Sequence, residues 1–179
     1  HLAPFAQANI AIVGLEPSCL LTLRDEALAM GLGDGAVKVA SAALMFEEFL
    51  AKAAKAGDLD PLKQQLQPEA RKLLVHAHCH QKAMGADVGI ADVLCLMRDG
   101  QVEIIESSCC GMAGAFGYEV EHIDISRQMA ELSLLPTIRK HPDAILVADG
   151  TSCRHQIKDN HTAVAQHVAV ILDQHCATA

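Results

Sequence analysis

The chain has 179 residues, of which 51% are hydrophobic, and its formal net charge at pH 7 is −8. A chain of this length can bury a hydrophobic core as one domain. Its acidic charge and its lack of a Lys and Arg cluster argue against a nucleic-acid partner. The apolar runs are far shorter than the roughly 18 residues of a transmembrane helix, and no signal peptide is recognised. We therefore predict a soluble, cytoplasmic protein with no transmembrane segment.

Short aliphatic runs alternate along the chain with longer segments of helical periodicity. Strands are predicted at 10–15, 73–77, 102–105 and 144–148, and helices at 20–30, 41–56, 90–98, 119–135 and 162–174. Alternation of this kind is typical of parallel strands joined by helical crossovers. We therefore predict an α/β fold with a Rossmann-like, mostly parallel sheet and helices on both faces.

Two segments of the chain are similar to each other. Residues 12–19 read IVGLEPSC and residues 146–153 read LVADGTSC, and each is predicted to form a strand, a turn and the start of a helix. Unless this similarity is due to chance, residues 1–30 are the tail of a preceding repeat and residues 31–179 are one complete repeat. We expect the two parts to pack as a single globular unit within a longer polypeptide.

Cysteines follow four of the predicted strands: Cys19, Cys79, the pair Cys109 and Cys110, and Cys153. The total of seven cysteines is odd, and the chain lacks secretory features, so a disulfide framework explains them poorly. The carboxyl ends of parallel strands share one edge of a sheet, where these thiols would converge. Thiolates bind soft metals, so we predict an iron–sulfur cluster or zinc, although buried cysteines can also be inert packing residues.

The sequence Cys109-Cys110-Gly111 is the most specific of these indications of a metal site. Adjacent cysteines on a loop can bind two metal atoms of one cluster or a single metal, whereas a strained vicinal disulfide is the alternative. We expect Gly111 and Gly114 to be cofactor-binding positions, because glycine lets backbone N–H groups approach sulfur closely.

Three histidines surround Cys79, namely His76, His78 and His80. They could be metal ligands, proton carriers or hydrogen-bond donors to the centre, and His155 could join them. We rank His78 and His80 as cofactor-binding residues because they flank the cysteine.

The remaining residues of interest are predicted to have no role in the site. We expect Cys95 to lie in the core and Cys176 to be incidental. Glu16, Glu106 and Asp149 follow predicted strands, and we interpret them as solvated loop carboxylates.

Three motifs together resemble a known family: HCHQKA at 78–83, SSCCGMAGAFG at 107–117 and DGTSC at 149–153. They resemble the cysteine-rich CCG domain found in the C-terminal region of bacterial FAD-linked oxidases related to D-lactate, D-2-hydroxyglutarate and glycolate dehydrogenases. The domain also occurs in the B subunit of heterodisulfide reductase. The resemblance implies an iron–sulfur cluster, such as a 4Fe-4S cluster, bound by Cys79, Cys109, Cys110 and Cys153. Cys19 would be a ligand of the preceding repeat.

The resemblance also implies the surroundings of this region in the full-length enzyme. FAD and ferredoxin-like domains would precede it, flavin would oxidise a small 2-hydroxy acid, and the cluster would pass electrons to an acceptor that the sequence leaves open. The fragment alone would not be catalytic. The full-length enzyme would be cytoplasmic, with peripheral attachment to the inner membrane left open.

This chain departs from the family pattern at one ligand position. Gln156 stands where a last cysteine is expected, and Thr22 stands there in the partial repeat. This leaves room for a simpler cluster, a mononuclear metal, or a ligand from His78, His80 or His155. The alternatives that remain open are a zinc-binding structural module, a thiol–disulfide redox domain and an interaction domain with inert thiols.

Overall fold

The structure is a computed structural model that describes residues 1–161 and 163–177. Its strands are β1 (Ile12–Gly14), β2 (Ala43–Met45), β3 (Lys72–Val75), β4 (Gln101–Ile104) and β5 (Ile145–Val147). Its helices are α1 (Ala3–Gln7), α2 (Pro17–Thr22), α3 (Glu26–Ala29), α4 (Asp34–Ala42), α5 (Phe46–Ala56), α6 (Asp60–Gln65), α7 (Cys79–Ala83), α8 (Val88–Leu94), α9 (Ile123–Glu131), α10 (Leu134–Lys140), α11 (Thr151–Asn160) and α12 (Val168–His175), with a 3₁₀ turn at Phe116–Tyr118. The α/β class predicted from the sequence is confirmed.

The strands form two small parallel sheets rather than one. The larger sheet has the order β4-β3-β5, and the smaller one pairs β1 with β2. The sequence missed β2, which lies inside the predicted helix at 41–56. Ala43 pairs with Ile12 and Met45 with Gly14, so pairing with a distant strand overrides the local helical preference.

The predicted helix at 119–135 is instead two helices, α9 and α10. Pro136 has no N–H to donate to the carbonyl of Leu132, and its ring would clash with that carbonyl. The chain therefore leaves the helix after Glu131 and begins a new one at Leu134, so that Pro136 lies in a first turn. Of the last predicted helix, 162–174, only the part from Val168 onward is observed, as α12; residues 163–167 are not helical, and residue 162 lies outside the described residues.

Helices cover both faces of the larger sheet, as predicted. Leu73 and Val75 of β3 pack with residues of α8 and α12 on one face, while Leu74 packs with α10 and α11 on the other. This follows from the alternation of side chains along a strand. The central strand β3 is thus buried on both sides, and the loops that follow the three strands meet at the carboxyl edge of the sheet.

The buried stripe of α8 explains why one prediction about the core is wrong. Ile90, Val93 and Leu94 are buried at the spacing of one helical face, and Cys95, the residue after the helix, falls outside that stripe. Cys95 is therefore exposed rather than a core residue.

The N-terminal segment contacts the start of α11 through the two similar segments. Cys19 is the third residue of α2 and Cys153 is the third residue of α11, each following a short parallel strand. The turns before these helices touch, because Thr151 Oγ1 donates to Glu16 Oε2 over 2.7 Å. The equivalence of the two segments stays a prediction. None of the described helices is long and apolar enough to cross a membrane.

Candidate metal centre

Four cysteines converge at the carboxyl edge of the larger sheet. Cys79 begins α7 after β3, Cys109 and Cys110 lie in the loop after β4, and Cys153 lies in the first turn of α11 after β5. Because the three strands are parallel, the segments that follow them open on the same side. Cys110 and Cys153 are buried, whereas Cys79 and Cys109 are partly exposed.

The loop that carries Cys79 is held by a helix cap. His78 is the N-cap of α7, and its Nδ1 accepts a hydrogen bond from the His80 backbone N–H over 3.2 Å. Gln81 Oε1 accepts from the His78 N–H over 3.0 Å, which completes a capping box. The capped turn fixes the Cys79 thiol at the edge of the sheet.

The loop that carries Cys109 and Cys110 is shaped by Gly111. Gly111 has a φ of 98°, in the region that favours glycine, and its N–H donates to Cys109 Sγ over 3.3 Å. Lys82 Nζ donates to the Ser108 carbonyl over 2.8 Å, so the loop is also tied to α7. Both contacts hold the cysteine pair toward Cys79.

Contacts among the four thiols shift their pKa values in opposite directions. Hydrogen bonding from Cys110 and Cys79 lowers the pKa of Cys109 well below its usual range, and the same contacts raise the pKa of Cys79 and Cys110. Hydrogen bonding from Cys110, together with the adjacent imidazole of His76, lowers the pKa of Cys153 to about 5. Four sulfurs this close cannot all be thiolates without a cation, because like charges repel. A bound metal would remove the conflict.

His76 is the histidine that lies beside the buried thiols. A ring nitrogen of His76 and the sulfurs of Cys110 and Cys153 lie within 4.8 Å of one another, and all three residues are buried. His76 Nδ1 is 2.8 Å from Ser107 Oγ, whereas Nε2 is buried with no hydrogen-bond partner among the described residues. The prediction ranked His78 and His80 above His76 because they flank the cysteine in sequence.

An open cavity of about 610 Å³ borders the partly exposed thiols. It is lined by Cys79, Cys109, Cys110, His78, His80, Gly114, Ala83 and Ala113, and by Ser18, Thr22, Glu26 and Ser152. The structure thus brings together four of the five cysteines that were predicted as ligands. The fifth, Cys19, is exposed and belongs to no cluster of three or more potential metal ligands in the described part of the chain. His155 is 2.5 Å from the Tyr118 hydroxyl and does not line the cavity.

Gln156, at the position of the missing cysteine, has a structural role instead. Its buried Nε2 donates to the Cys110 carbonyl over 2.8 Å and to the Ser126 carbonyl over 2.9 Å, and its Oε1 accepts from Asn160 Nδ2 over 3.1 Å. Gln156 therefore ties the Cys-Cys-Gly loop to α9 and α11. The sequence indicated that a ligand was absent but not what replaced it.

Behind the thiols lies a buried pair of carboxyl groups that the sequence did not predict. Gln81 Nε2 donates to Glu47 Oε1 over 2.5 Å and faces Asp149 Oδ2 at 3.4 Å. Burial, followed by the charge of Asp149, raises the pKa of Glu47 to about 8. Asp149 is buried and accepts from the Val168 N–H over 3.0 Å, so its interpretation as a solvated loop carboxylate is wrong. The sequence did not indicate that Glu47 is buried, because a charged residue in an amphipathic helix normally faces solvent.

Comparison with known proteins identifies relatives of this chain. It is 29% identical over 168 residues to the D-2-hydroxyglutarate dehydrogenase of Haemophilus influenzae, a match that covers 90% of this chain and 16% of that protein. It is 31% identical over 155 residues to the D-2-hydroxyglutarate dehydrogenase of Pantoea ananatis, covering 86% of this chain and 14% of that protein. It is also 26% identical over 109 residues to one of the subunits of the anaerobic glycerol-3-phosphate dehydrogenase of Escherichia coli K12, covering 61% of this chain and 27% of that relative.

No family model and no solved structure matches the chain. The matched relatives are much longer than this chain, which spans less than a third of each of them. The resemblance predicted from the cysteine motifs is nevertheless confirmed, because dehydrogenases of the predicted group are among the relatives. The chain is therefore homologous to a segment of the D-2-hydroxyglutarate dehydrogenases.

Proposed function

We propose that this chain is the iron–sulfur-binding, electron-transfer module of a FAD-linked oxidoreductase that acts on a small 2-hydroxy acid. The observation that carries the proposal is the convergence of Cys79, Cys109, Cys110 and Cys153 from three strand ends at one sheet edge. Relatives that are named as dehydrogenases support the redox assignment.

The donor set fits a thiophilic metal centre. Two of the four cysteines are buried, and three of the four, Cys79, Cys109 and Cys110, line a cavity. A centre held by all four would therefore be shielded on one side and reachable on the other. The pKa shifts of opposite sign among these thiols and the unpartnered Nε2 of His76 are both features that a metal would satisfy.

The residues of the chain would bind the centre and adjust its electrostatic surroundings. An iron–sulfur centre supplies one-electron transfer at a potential set by its ligands and surroundings. The four cysteines would ligate it, and the N–H of Gly111 would offset negative charge on Cys109 Sγ. Leu74, Leu146 and Ile157 pack below the loop and exclude water from the buried side.

The rest of the full-length protein would supply the substrate chemistry. We propose that FAD and ferredoxin-like domains elsewhere in a longer, cytoplasmic polypeptide carry out the oxidation and exchange electrons with this module. Residues 1–30 would be the tail of a preceding repeat, and Cys19 would be a ligand in that repeat. Cys19 and Cys153 are each the third residue of a helix that follows a short parallel strand, which supports this assignment.

A zinc-binding structural module is the second candidate. One buried histidine and two buried cysteines within 4.8 Å of one another are a donor set that zinc accepts. Such a centre would hold the strand ends together without redox chemistry. Zinc in the purified protein, with no acid-labile sulfide after reconstitution, would favour this function.

The test is anaerobic reconstitution with iron and sulfide, followed by iron and sulfide analysis and electron paramagnetic resonance of the reduced protein. We expect the parent chain to retain both elements, and Cys109→Ser and Cys153→Ser to lose most of them. Cys95→Ser is the matched control, because this exposed thiol lies at the end of α8. A parent chain that retains no iron, or a Cys153→Ser variant that retains as much as the Cys95→Ser control, would contradict the proposal. Disulfide reduction that survives removal of all metal would instead indicate thiol–disulfide chemistry at Cys109 and Cys110.

A further inference from the structure

His76 occupies a position from which it can bind the centre directly. It follows the last residue of β3, and its backbone N–H donates to the Val147 carbonyl of β5 over 2.9 Å. This bond extends the sheet by one step and fixes the residue between the loops that carry Cys110 and Cys153. The ring is 1% exposed, so it does not reach solvent.

The two nitrogens of the His76 ring have different surroundings. Nδ1 is 2.8 Å from Ser107 Oγ, while Nε2 is buried and has no hydrogen-bond partner within residues 1–161 and 163–177. A buried polar atom left without a partner destabilises the folded protein, so a ligand that satisfies it is expected. A ring nitrogen of this residue lies within 4.8 Å of the sulfurs of Cys110 and Cys153.

In the other three histidines considered as ligands, at least one ring nitrogen has a partner other than the thiols. His78 Nδ1 accepts from the His80 N–H over 3.2 Å and so serves the cap of α7. His80 Nε2 faces Asp25 Oδ2 at 3.8 Å on the outer side of the cavity. His155 Nδ1 is 2.5 Å from the Tyr118 hydroxyl. Of these four histidines, His76 alone forms a cluster with two of the buried thiols in the described part of the chain.

We propose that Nε2 of His76 is a direct ligand of the metal centre, completing a mixed nitrogen and thiolate set with Cys110 and Cys153. This inference rests on the proposed metal-binding function and selects the histidine that the sequence analysis ranked below His78 and His80. In the bound state Nδ1–H donates to Ser107 Oγ, which fixes the tautomer that leaves Nε2 free for the metal. A nitrogen ligand in place of a thiolate raises the potential of an iron–sulfur centre.

The first test is pulsed electron paramagnetic resonance of the reduced, reconstituted chain, with natural-abundance or ¹⁵N-labelled histidine. We expect the parent to show the hyperfine coupling of a directly bound nitrogen, and this coupling to change with the isotope. His76→Gln should abolish the coupling, whereas His80→Gln, the control, should keep it. If His76→Gln does not fold, His76→Cys serves instead, with iron retained, the coupling lost and the midpoint potential lowered.

The outcomes separate this inference from the proposed function. A parent that retains iron without a histidine coupling, or a coupling that persists in the His76 variants, would refute the ligand assignment and leave the cluster proposal intact. A parent that retains no iron would refute the cluster proposal. In that case, titration of the chain with Co²⁺ alone tests whether His76 binds a metal directly. We expect at least tenfold weaker Co²⁺ binding for His76→Gln than for His80→Gln, and equal binding would overturn the inference.

Discussion

Replacement of Gly111 by alanine should damage the cysteine loop far more than the same change at Gly114. Both glycines have positive φ, 98° and 67°, so alanine carries a backbone penalty of about 1 to 2 kcal/mol at either position. A methyl group at Gly111 would also overlap the Ser126 carbonyl and lie 2.9 Å from Gln156 Nε2. At Gly114 it would meet no heavy atom of the described residues within 4 Å, apart from its own chain neighbours. The difference between the two variants isolates the effect of packing.

The cost of the overlap follows from the hydrogen bonds around it. To fit a methyl group, the loop must move away from α9, and the bonds from Gln156 to the carbonyls of Cys110 and Ser126 must break. Each broken bond that leaves a buried group unpaired costs about 1 to 3 kcal/mol. We therefore expect Gly111→Ala to lower the free energy of unfolding by roughly 4 kcal/mol and Gly114→Ala by about 1 kcal/mol.

Urea unfolding of the two variants without metal, under anaerobic conditions, measures this difference. Iron retention after reconstitution is the second readout, and we expect it to fall in Gly111→Ala even though every thiol is present. Stability losses that agree within about 1 kcal/mol would refute the packing argument. Equal iron retention in the two variants would show that the loop geometry does not control the site.

Three further changes have predictable effects. Glu47→Gln should remove a pH dependence of stability. Because the folded state raises the pKa of Glu47 from 4.5 to about 8, through burial and the charge of Asp149, the parent should lose up to a few kcal/mol of stability as the pH rises through that interval. Urea unfolding at several pH values between 5 and 8 measures this dependence. An equal change of unfolding free energy with pH in the parent and the variant would contradict the prediction. Gln156→Leu should lower the free energy of unfolding by about 2 to 4 kcal/mol, because the bonds to Cys110 and Ser126 are lost, yet retain more iron than Cys153→Ser. Iron loss as complete as in Cys153→Ser would instead indicate that Gln156 contributes to metal binding. Cys19→Ser should leave iron retention by this chain unchanged, since Cys19 is exposed and lies outside the thiol cluster, and iron analysis against the parent would detect any loss.

The positions of the four clustered cysteines could be predicted because local sequence determined them. Aliphatic runs indicated β3, β4 and β5, and cysteines followed each run within a few residues. In a parallel sheet, the carboxyl ends of all strands lie at one edge, so the convergence of the thiols needed no knowledge of side-chain packing. The relationship to the dehydrogenases was likewise contained in three short motifs.

Other features depended on contacts between residues far apart in the chain. β2 forms because Ala43 pairs with Ile12, and Glu47 is buried because Gln81 and Asp149 surround it. The pattern of the local sequence does not identify a contact with a residue so far away in the chain. The prediction that Cys95 lies in the core was wrong for a related reason, since the buried face of α8 is set by what the helix packs against.

The choice among the histidines also depended partly on the sequence and partly on the tertiary structure. His76, His78 and His80 all lie within three residues of Cys79 in the sequence, which favoured the two flanking residues. Only the tertiary structure assigns His78 to the cap of α7 and places the ring of His76 beside Cys110 and Cys153. The sequence by itself determined which strand ends carry thiols. The packing of distant loops decided which imidazole lies beside them, because the neighbours of a buried side chain come from all three strand ends.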